Sequence, residues 1–110
     1  MKAGLFLLAL LPVPAFAETQ MLTTRYTCAR DVEVPATYVN AEDLQVAVIT
    51  VEGRQISLYS EDAASGARYG WPSDGSNYVW WTKGEEATLY WKDGATGTES
   101  AVLDGCVQAQ

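Results

Sequence analysis

The sequence predicts an all-β domain, a single small eight-stranded antiparallel β-barrel stapled by one disulfide. Short runs of β-branched and aromatic residues are separated by turn residues at close intervals, and no segment keeps a helical period. A meander of short strands must bury its apolar faces without leaving long edges open, and closure into a barrel achieves both. Several strands are too short for an outer-membrane barrel, so we expect a soluble barrel filled by side chains.

The strands are expected to follow one another as hairpins. In chain order they are predicted at residues 22–28, 32–38, 44–51 and 54–59, in the two arms of a hairpin over 69–81, and at 87–92 and 98–103. Turn signals separate them at residues 40–43, at Glu52-Gly53, at Pro72-Ser73-Asp74-Gly75 and at Asp93-Gly94. Pro35 lacks a backbone N–H, which predicts an edge or a bulge in the second strand.

The aromatic hairpin over residues 69–81 brings two short segments together. If Trp71 pairs with Tyr78, antiparallel register keeps the sum of paired residue numbers constant. Extending that ladder places Ser65 opposite Gly84 and next to Lys83. A hydroxyl and an ammonium are therefore expected to share one end of the hairpin.

The same register divides the aromatic residues of the hairpin between two faces. One face is predicted to carry Tyr69, Trp71, Tyr78 and Trp80, and the other Val79, Trp81 and Lys83. Because both faces are aromatic, the pattern leaves open which one lies inside the barrel.

Residues 1–17 have the pattern of a cleaved signal peptide. Lys2 precedes an apolar run over residues 5–11, and Ala15-Phe16-Ala17 supplies a small-residue cleavage site. The mature domain is predicted to span residues 18–110 and to be periplasmic or secreted, without a lipid-bearing cysteine or stable membrane anchor. In that oxidising setting Cys28 and Cys106 are expected to form a disulfide, worth roughly 4 kcal/mol in the chain-entropy model.

The mature chain is strongly acidic. Without Lys2, the 7 Lys and Arg residues become 6, against 14 Asp and Glu, which gives a net charge of −8. This charge argues against nucleic acid as a partner, since binding to phosphates requires Lys and Arg. It fits a basic protein partner, and it equally fits an acidic exported protein whose charge serves solubility alone.

The residue inventory gives little support to catalysis, so we predict that the protein is not an enzyme. There is no histidine, and two cysteines do not complete a tetrahedral shell, so neither metal nor cofactor is expected. Ser65 and Lys83 as a catalytic pair would need an uncharged lysine, which an acidic chain disfavours. Glu85 and Glu86 are adjacent on a strand and would point to opposite faces, which is unsuited to a glycosidase pair.

Two motifs resemble the paired signature of a known family. Ser65-Gly66-x-x-Tyr69, followed by Tyr78-x-x-x-Thr82-Lys83-Gly84, is similar to the signature of bacterial inhibitors of C-type lysozyme, a family with membrane-bound and periplasmic branches. The similarity extends to Tyr26-Thr27-Cys28, to residues 81–87 and to Cys106. Since no cysteine stands directly after the predicted cleavage site, the chain resembles the periplasmic branch.

The resemblance implies a function and a set of binding residues. Members of this family form an eight-stranded barrel and block lysozyme by inserting the two motif loops into its substrate cleft, which in a bacterium would counter host lysozyme. Ser65 would then hydrogen-bond a catalytic carboxyl group and Lys83 would reach the same region. Tyr69 and Thr82 would support these contacts, and Gly66 and Gly84 belong to the same loops.

Two other functions fit the residues alone. A small-ligand-binding barrel of the cell envelope would have a roomy apolar cavity lined by tryptophan. A structural envelope protein without a client would leave the Ser65 loop with no role. Arg68 could serve an interface or cover the barrel wall, and we favour the wall.

Overall fold

Eight antiparallel strands close into a barrel in which each strand pairs with its sequence neighbour and the last returns to the first. The computed structural model describes residue 4 and residues 18–110, so the predicted signal peptide over residues 1–17 lies, apart from residue 4, outside the described residues. The strands are β1 Gln20–Thr27, β2 Glu33–Asn40, β3 Gln45–Val51, β4 Arg54–Glu61, β5 Ala67–Gly70, β6 Asn77–Lys83, β7 Glu86–Lys92 and β8 Glu99–Gln108. The predicted fold class is confirmed.

Helical structure in the described part of the chain is limited to one 3-10 turn, Ala29–Asp31, which the sequence did not predict. Arg30 and Asp31 both have positive φ there, and this reverses the chain between β1 and β2. No helix among residues 18–110 has the length and apolar character needed to cross a bilayer.

The prediction for Pro35 is wrong. β2 lies between β1 and β3, so it is not an edge strand, and its register with both neighbours is regular. Pro35 pairs with Arg25 of β1, whereas the ladder with β3 begins one residue later, at Ala36. The proline therefore lies just beyond the β2–β3 ladder, where no N–H is needed on that side.

The connection between β7 and β8 turns at Asp93 and Gly94, as predicted, and extends beyond these two residues. The chain closes over residues 93–98, with the Gly97 N–H donating to the Asp93 carbonyl at 2.7 Å and Gly97 at φ +74°. Gly94 also serves packing, because a Cβ built there would lie 2.5 Å from the Asp74 carbonyl oxygen. β8 consequently starts at Glu99 and runs through Cys106 to Gln108, beyond its predicted end.

The predicted disulfide between Cys28 and Cys106 is present, and it lies at the seam of the barrel. β1 and β8 pair through only two residue pairs, Tyr26 with Gln108 and Thr27 with Val107. Since few hydrogen bonds close this seam, the covalent link holds the last strand against the first.

Trp80 fills the barrel interior, which settles the face that the sequence left open. Its side chain is completely buried, and its Nε1–H donates to the Tyr38 hydroxyl at 2.8 Å. That hydroxyl lies 2.8 Å from the hydroxyl of Tyr26, whose ring packs edge-on against Trp80 with 5.1 Å between the ring centroids.

Tyr69 lies on the same inner side of the hairpin as Trp80, so Trp81 and Lys83 face outward. Side chains occupy the interior, which does not favour the carrier alternative.

The buried tyrosines predict a loss of stability at alkaline pH. Burial raises the pKa of Tyr38, Tyr26 and Tyr69 above 10, the ordinary value. The tyrosine hydroxyls of the unfolded chain therefore lose their protons at a lower pH than those of the folded chain. The contribution of the protonated tyrosines to the stability of the fold is complete below pH 10 and declines as pH rises above it. We expect the free energy of unfolding to fall by up to about 1.4 kcal/mol per pH unit for each tyrosine.

Urea denaturation between pH 8 and pH 12 at constant ionic strength measures this decline. Tyr38→Phe should flatten the slope, whereas Tyr59→Phe, at an exposed position, should leave it unchanged. A stability that stays level above pH 10 would contradict the prediction.

Candidate functional site

Two connections between strands lie side by side at the end of the β5–β6 hairpin. The ladder pairs Ala67 with Thr82 and Tyr69 with Trp80, which is the predicted register. The β4–β5 loop over residues 62–66 leads into β5, and the turn of Gly84 and Glu85 follows β6. We call Ser65, Gly66, Thr82, Lys83 and Gly84 the two-loop tip.

Gly66 is the point of closest approach between the two connections. Its φ is +67°, a conformation that side-chain-bearing residues rarely adopt. A Cβ built on it would collide with the Thr82 carbonyl oxygen and would lie 2.8 Å from Cγ of Lys83. Any larger residue would therefore have to separate the first loop from β6.

Gly84 shapes the second connection for a different reason. Lys83 and Glu86 are paired, which leaves a turn of two residues that begins with Gly84 at φ +60°. No heavy atom lies within 4 Å of a Cβ built at this glycine. Conformation alone favours glycine here, as at the first central position of a type II′ turn.

Lys83 presents a positive charge at the tip. The residue is exposed, and within residues 18–110 no carboxylate oxygen lies within 4.0 Å of its ammonium. Asp62 and Glu85 are exposed on the same two connections, and Glu86 is exposed at the start of β7. The tip thus offers one cation inside an acidic surround, an arrangement suited to a basic partner that carries a local negative group.

Side chains of β6 hold the backbone of the first loop in place. Nε1–H of Trp81 donates to the Ser65 carbonyl at 2.9 Å, and the Thr82 hydroxyl donates to the Ala67 carbonyl at 3.3 Å. Ser65 itself is exposed. Its hydroxyl, which can both donate and accept, is accordingly offered at the surface on an anchored backbone.

Tyr69, predicted as a site residue, lies in the core. Its side chain is buried, and its ring centroid is 5.6 Å from that of Tyr38. At 7% exposure it leaves little side-chain surface for contact with another molecule, and its position in the core fixes β5 in the barrel. The other predicted residues, Ser65, Gly66, Thr82, Lys83 and Gly84, all lie at the tip.

Arg68 covers the barrel wall, as the sequence favoured. Its guanidinium pairs with Glu61 and Glu99, and its side chain is only 14% exposed. The hydrogen bonds that the guanidinium donates to Glu99 raise its pKa most, burial lowers it, and the hydrogen bond donated to Glu61 raises it further, so that the pKa is raised overall. Its charge is therefore used within the molecule, unlike that of Lys83.

Sequence reasoning missed the part played by Trp81. Lys83 Nζ lies 4.5 Å from the centroid of the Trp81 ring, while the indole N–H reaches Ser65. The available signal was its place on the hairpin, two residues before Lys83 on the same outward face. Trp81 thus contacts both the Lys83 ammonium and the first loop.

The chemistry of the tip suits binding rather than turnover. It offers one hydroxyl and one ammonium, beside a surface depression of about 120 Å³ whose lining includes Trp81, Lys83 and Tyr90. Within residues 18–110, no group of three or more His, Cys, Asp or Glu side chains is placed to hold a metal ion.

Sequence comparison identifies a named relative. A protein of Cupriavidus necator, named membrane-bound lysozyme inhibitor of C-type lysozyme, is 43% identical over 65 residues, which is 59% of this chain. That match spans about half of the relative, 49% of its length.

Two solved structures resemble the whole barrel. Pseudomonas aeruginosa MliC, solved in complex with hen egg white lysozyme, superposes with a TM-score of 0.63 at 31% identity, over 90% of this chain and 92% of that one. PliC-St, the periplasmic lysozyme inhibitor of C-type lysozyme from Salmonella typhimurium, gives 0.67 at 28% identity, over 83% of this chain and 100% of that one.

The family model for the membrane-bound lysozyme inhibitors of C-type lysozyme, MliC, matches residues 26–97, which include both motifs and most of the barrel. Its members are inhibitor proteins and not enzymes. The chain therefore belongs to the MliC family of C-type lysozyme inhibitors.

Proposed function

We propose that this protein inhibits C-type lysozyme by inserting the two-loop tip into the substrate cleft of the enzyme. The observation that carries the proposal is that Ser65 and Lys83 are both exposed on segments that come into close contact at Gly66, and that within residues 18–110 no carboxylate pairs with Lys83. Membership of an inhibitor family supports it. So does the similarity to an MliC protein that was solved together with hen egg white lysozyme.

The chemistry of the target matches the two groups at the tip. A retaining glycosidase such as lysozyme holds two carboxyl groups close together in its cleft, one a protonated acid and the other ionised. The Ser65 hydroxyl would hydrogen-bond one of these groups, because a hydroxyl can serve either state. The Lys83 ammonium would pair with the ionised one, where the walls of the cleft weaken screening by salt. Both catalytic groups would then be occupied and the cleft closed to glycan.

The acidic surface should raise the rate of association with lysozyme and favour basic partners. C-type lysozymes are basic enzymes that act on anionic cell walls, so a protein with a negative surround at its tip is steered toward them. Asp62, Glu85 and Glu86 lie where such a partner would approach. The association rate should therefore fall as salt rises, while the inserted groups set the dissociation rate.

A place of action and a purpose follow from the same proposal. The predicted signal peptide, the disulfide and the likeness to a periplasmic inhibitor support a periplasmic or secreted location. There the protein would protect the bacterium's own cell wall against lysozyme of a host or of the environment.

A lytic assay tests this function. Purified protein, titrated into hen egg white lysozyme acting on a suspension of bacterial cell walls, should abolish lysis near an equimolar ratio. An unrelated protein of similar size and negative charge should leave the rate unchanged. Full lytic activity with an excess of this protein would reject the proposal.

A further inference from the structure

We infer that Trp81 is a positioning residue of the inhibitory tip, the side chain that orients the Lys83 ammonium and ties it to the Ser65 loop. This inference rests on the proposed function for its meaning, though part of its test needs no lysozyme. Neither motif of the family resemblance carries Trp81 as a binding residue. Its contacts with the rest of the tip carry the inference.

Trp81 contacts Lys83 and the first loop with different parts of one indole. The ring centroid lies 4.5 Å from Lys83 Nζ, within cation–π range, and the ring nitrogen donates to the Ser65 carbonyl at 2.9 Å. A lysine side chain is otherwise a flexible four-carbon stem. The ring thus holds the Lys83 ammonium next to the loop that carries the Ser65 hydroxyl.

The indole is itself held from the neighbouring strand. Arg68 is the direct partner of Trp81 across the β5–β6 ladder, and its guanidinium carbon lies 5.2 Å from the ring centroid. That guanidinium is fixed in turn by Glu61 and Glu99. Because Gly70 has no side chain, the Glu61 carboxylate can lie against β5, where a Cβ would be 2.6 Å from one of its oxygens.

By orienting Lys83, Trp81 should lower the entropic cost of binding. Immobilising a long side chain at an interface costs free energy, and a side chain that is already oriented loses less. Because the Lys83 ammonium already lies over the Trp81 ring, the lysine side chain loses fewer rotamers when it enters the lysozyme cleft. Trp81 should therefore act mainly on the dissociation rate, through Lys83 and Ser65, without needing to touch the partner.

A tryptophan that only covered the barrel wall would behave differently. Its removal would lower stability and leave the surroundings of Lys83 unchanged. Trp91 provides the matched control, because it is an exposed tryptophan on the neighbouring strand β7 that pairs with Tyr78, away from the tip. Trp81→Leu and Trp91→Leu should cost similar stability, but only the first should alter the tip.

The first measurement uses the free protein. Heteronuclear NMR should show the Lys83 side-chain methylene protons shifted upfield by the ring current of Trp81, with the shift lost in Trp81→Leu and kept in Trp91→Leu. Trp81→Phe should keep part of the shift, since an aromatic face remains, while losing the bond to the Ser65 carbonyl. Unshifted Lys83 protons in the unaltered protein would overturn the inference.

The second measurement is surface plasmon resonance with hen egg white lysozyme. We expect Trp81→Leu to raise Kd about tenfold and Trp81→Phe about threefold, chiefly through faster dissociation. In a Lys83→Ala background, Trp81→Leu should raise Kd by less than about threefold, because the ammonium that it orients is already gone. Equal effects in both backgrounds would refute positioning through Lys83.

The two measurements separate this inference from the proposed function. If the unaltered protein fails to bind lysozyme, the proposed function fails whatever the NMR spectrum shows. If it binds, but Trp81→Leu weakens binding no more than Trp91→Leu, the proposed function stands and Trp81 is a wall residue.

Discussion

Replacing Lys83 by alanine should cost about 2–5 kcal/mol of binding free energy to hen egg white lysozyme, a loss of at least thirtyfold in affinity. The reason is that the catalytic carboxylate of lysozyme would be enclosed by the inserted tip and left without its partner. A buried charge that loses its counter-charge costs more than an exposed pair gains. Inhibition constants from the lytic assay, checked by direct binding, measure the effect.

Lys92→Ala is the matched control for charge. Lys92 lies on β7, where it pairs with Asn77 and Glu99 rather than with the tip, and its removal changes the net charge by the same amount. We expect its loss to change affinity by less than about threefold, as for a charge outside the contact. Equal losses for the two variants would mean that lysine charge acts only through the overall field.

Lys83→Arg adds a test of shape. Arginine keeps the charge, but it presents a planar guanidinium in place of a compact ammonium. We expect an intermediate affinity with most of the salt dependence retained. A loss as large as that of Lys83→Ala would show that the fit of the ammonium matters as much as its charge.

The register of the aromatic hairpin could be predicted because it has one free parameter. Once Trp71 is set opposite Tyr78, every pair toward the tip follows, and the observed pairing of Tyr69 with Trp80 obeys it. The close approach of the first loop, at Gly66, to Thr82 and Lys83 was therefore accessible from residue numbers alone. The eight strands followed in the same way from turn residues and β-branched runs.

Other features depend on contacts that pattern alone does not encode. Trp80 and Trp81 are adjacent and chemically alike, so their placement inside and outside the barrel depends on what the other strands contribute, such as the Tyr38 hydroxyl that accepts the Trp80 N–H. Gly94 lies in the predicted turn, but the close approach of the 74–76 backbone, which also requires a glycine there, could not be predicted from the sequence. The prediction for Pro35 was wrong because the β2–β3 ladder starts one residue after Pro35, although the β1–β2 ladder includes it. The residues at which the two ladders start, and not whether β2 is an edge strand, decide which backbone N–H groups must be hydrogen-bonded.

Gly66→Ala should reduce inhibition by at least tenfold and should also destabilise the fold. A Cβ at φ +67° costs about 1–2 kcal/mol in conformational energy. It must also displace the Thr82 carbonyl or the stem of Lys83, which moves the hydroxyl loop away from the ammonium. A shift of about 1 Å in a positioned group can cost orders of magnitude at a site that requires both groups together.

Gly53→Ala separates the two causes. Gly53 has a similar φ of +75°, but a Cβ built there meets nothing within 4 Å, and the residue lies in the β3–β4 turn, outside the two-loop tip. It should lose comparable conformational energy in urea denaturation and keep full inhibition. If Gly66→Ala also kept full inhibition, the close approach of the loops would be a packing detail, and the lysozyme cleft would have to recognise Ser65 and Lys83 independently.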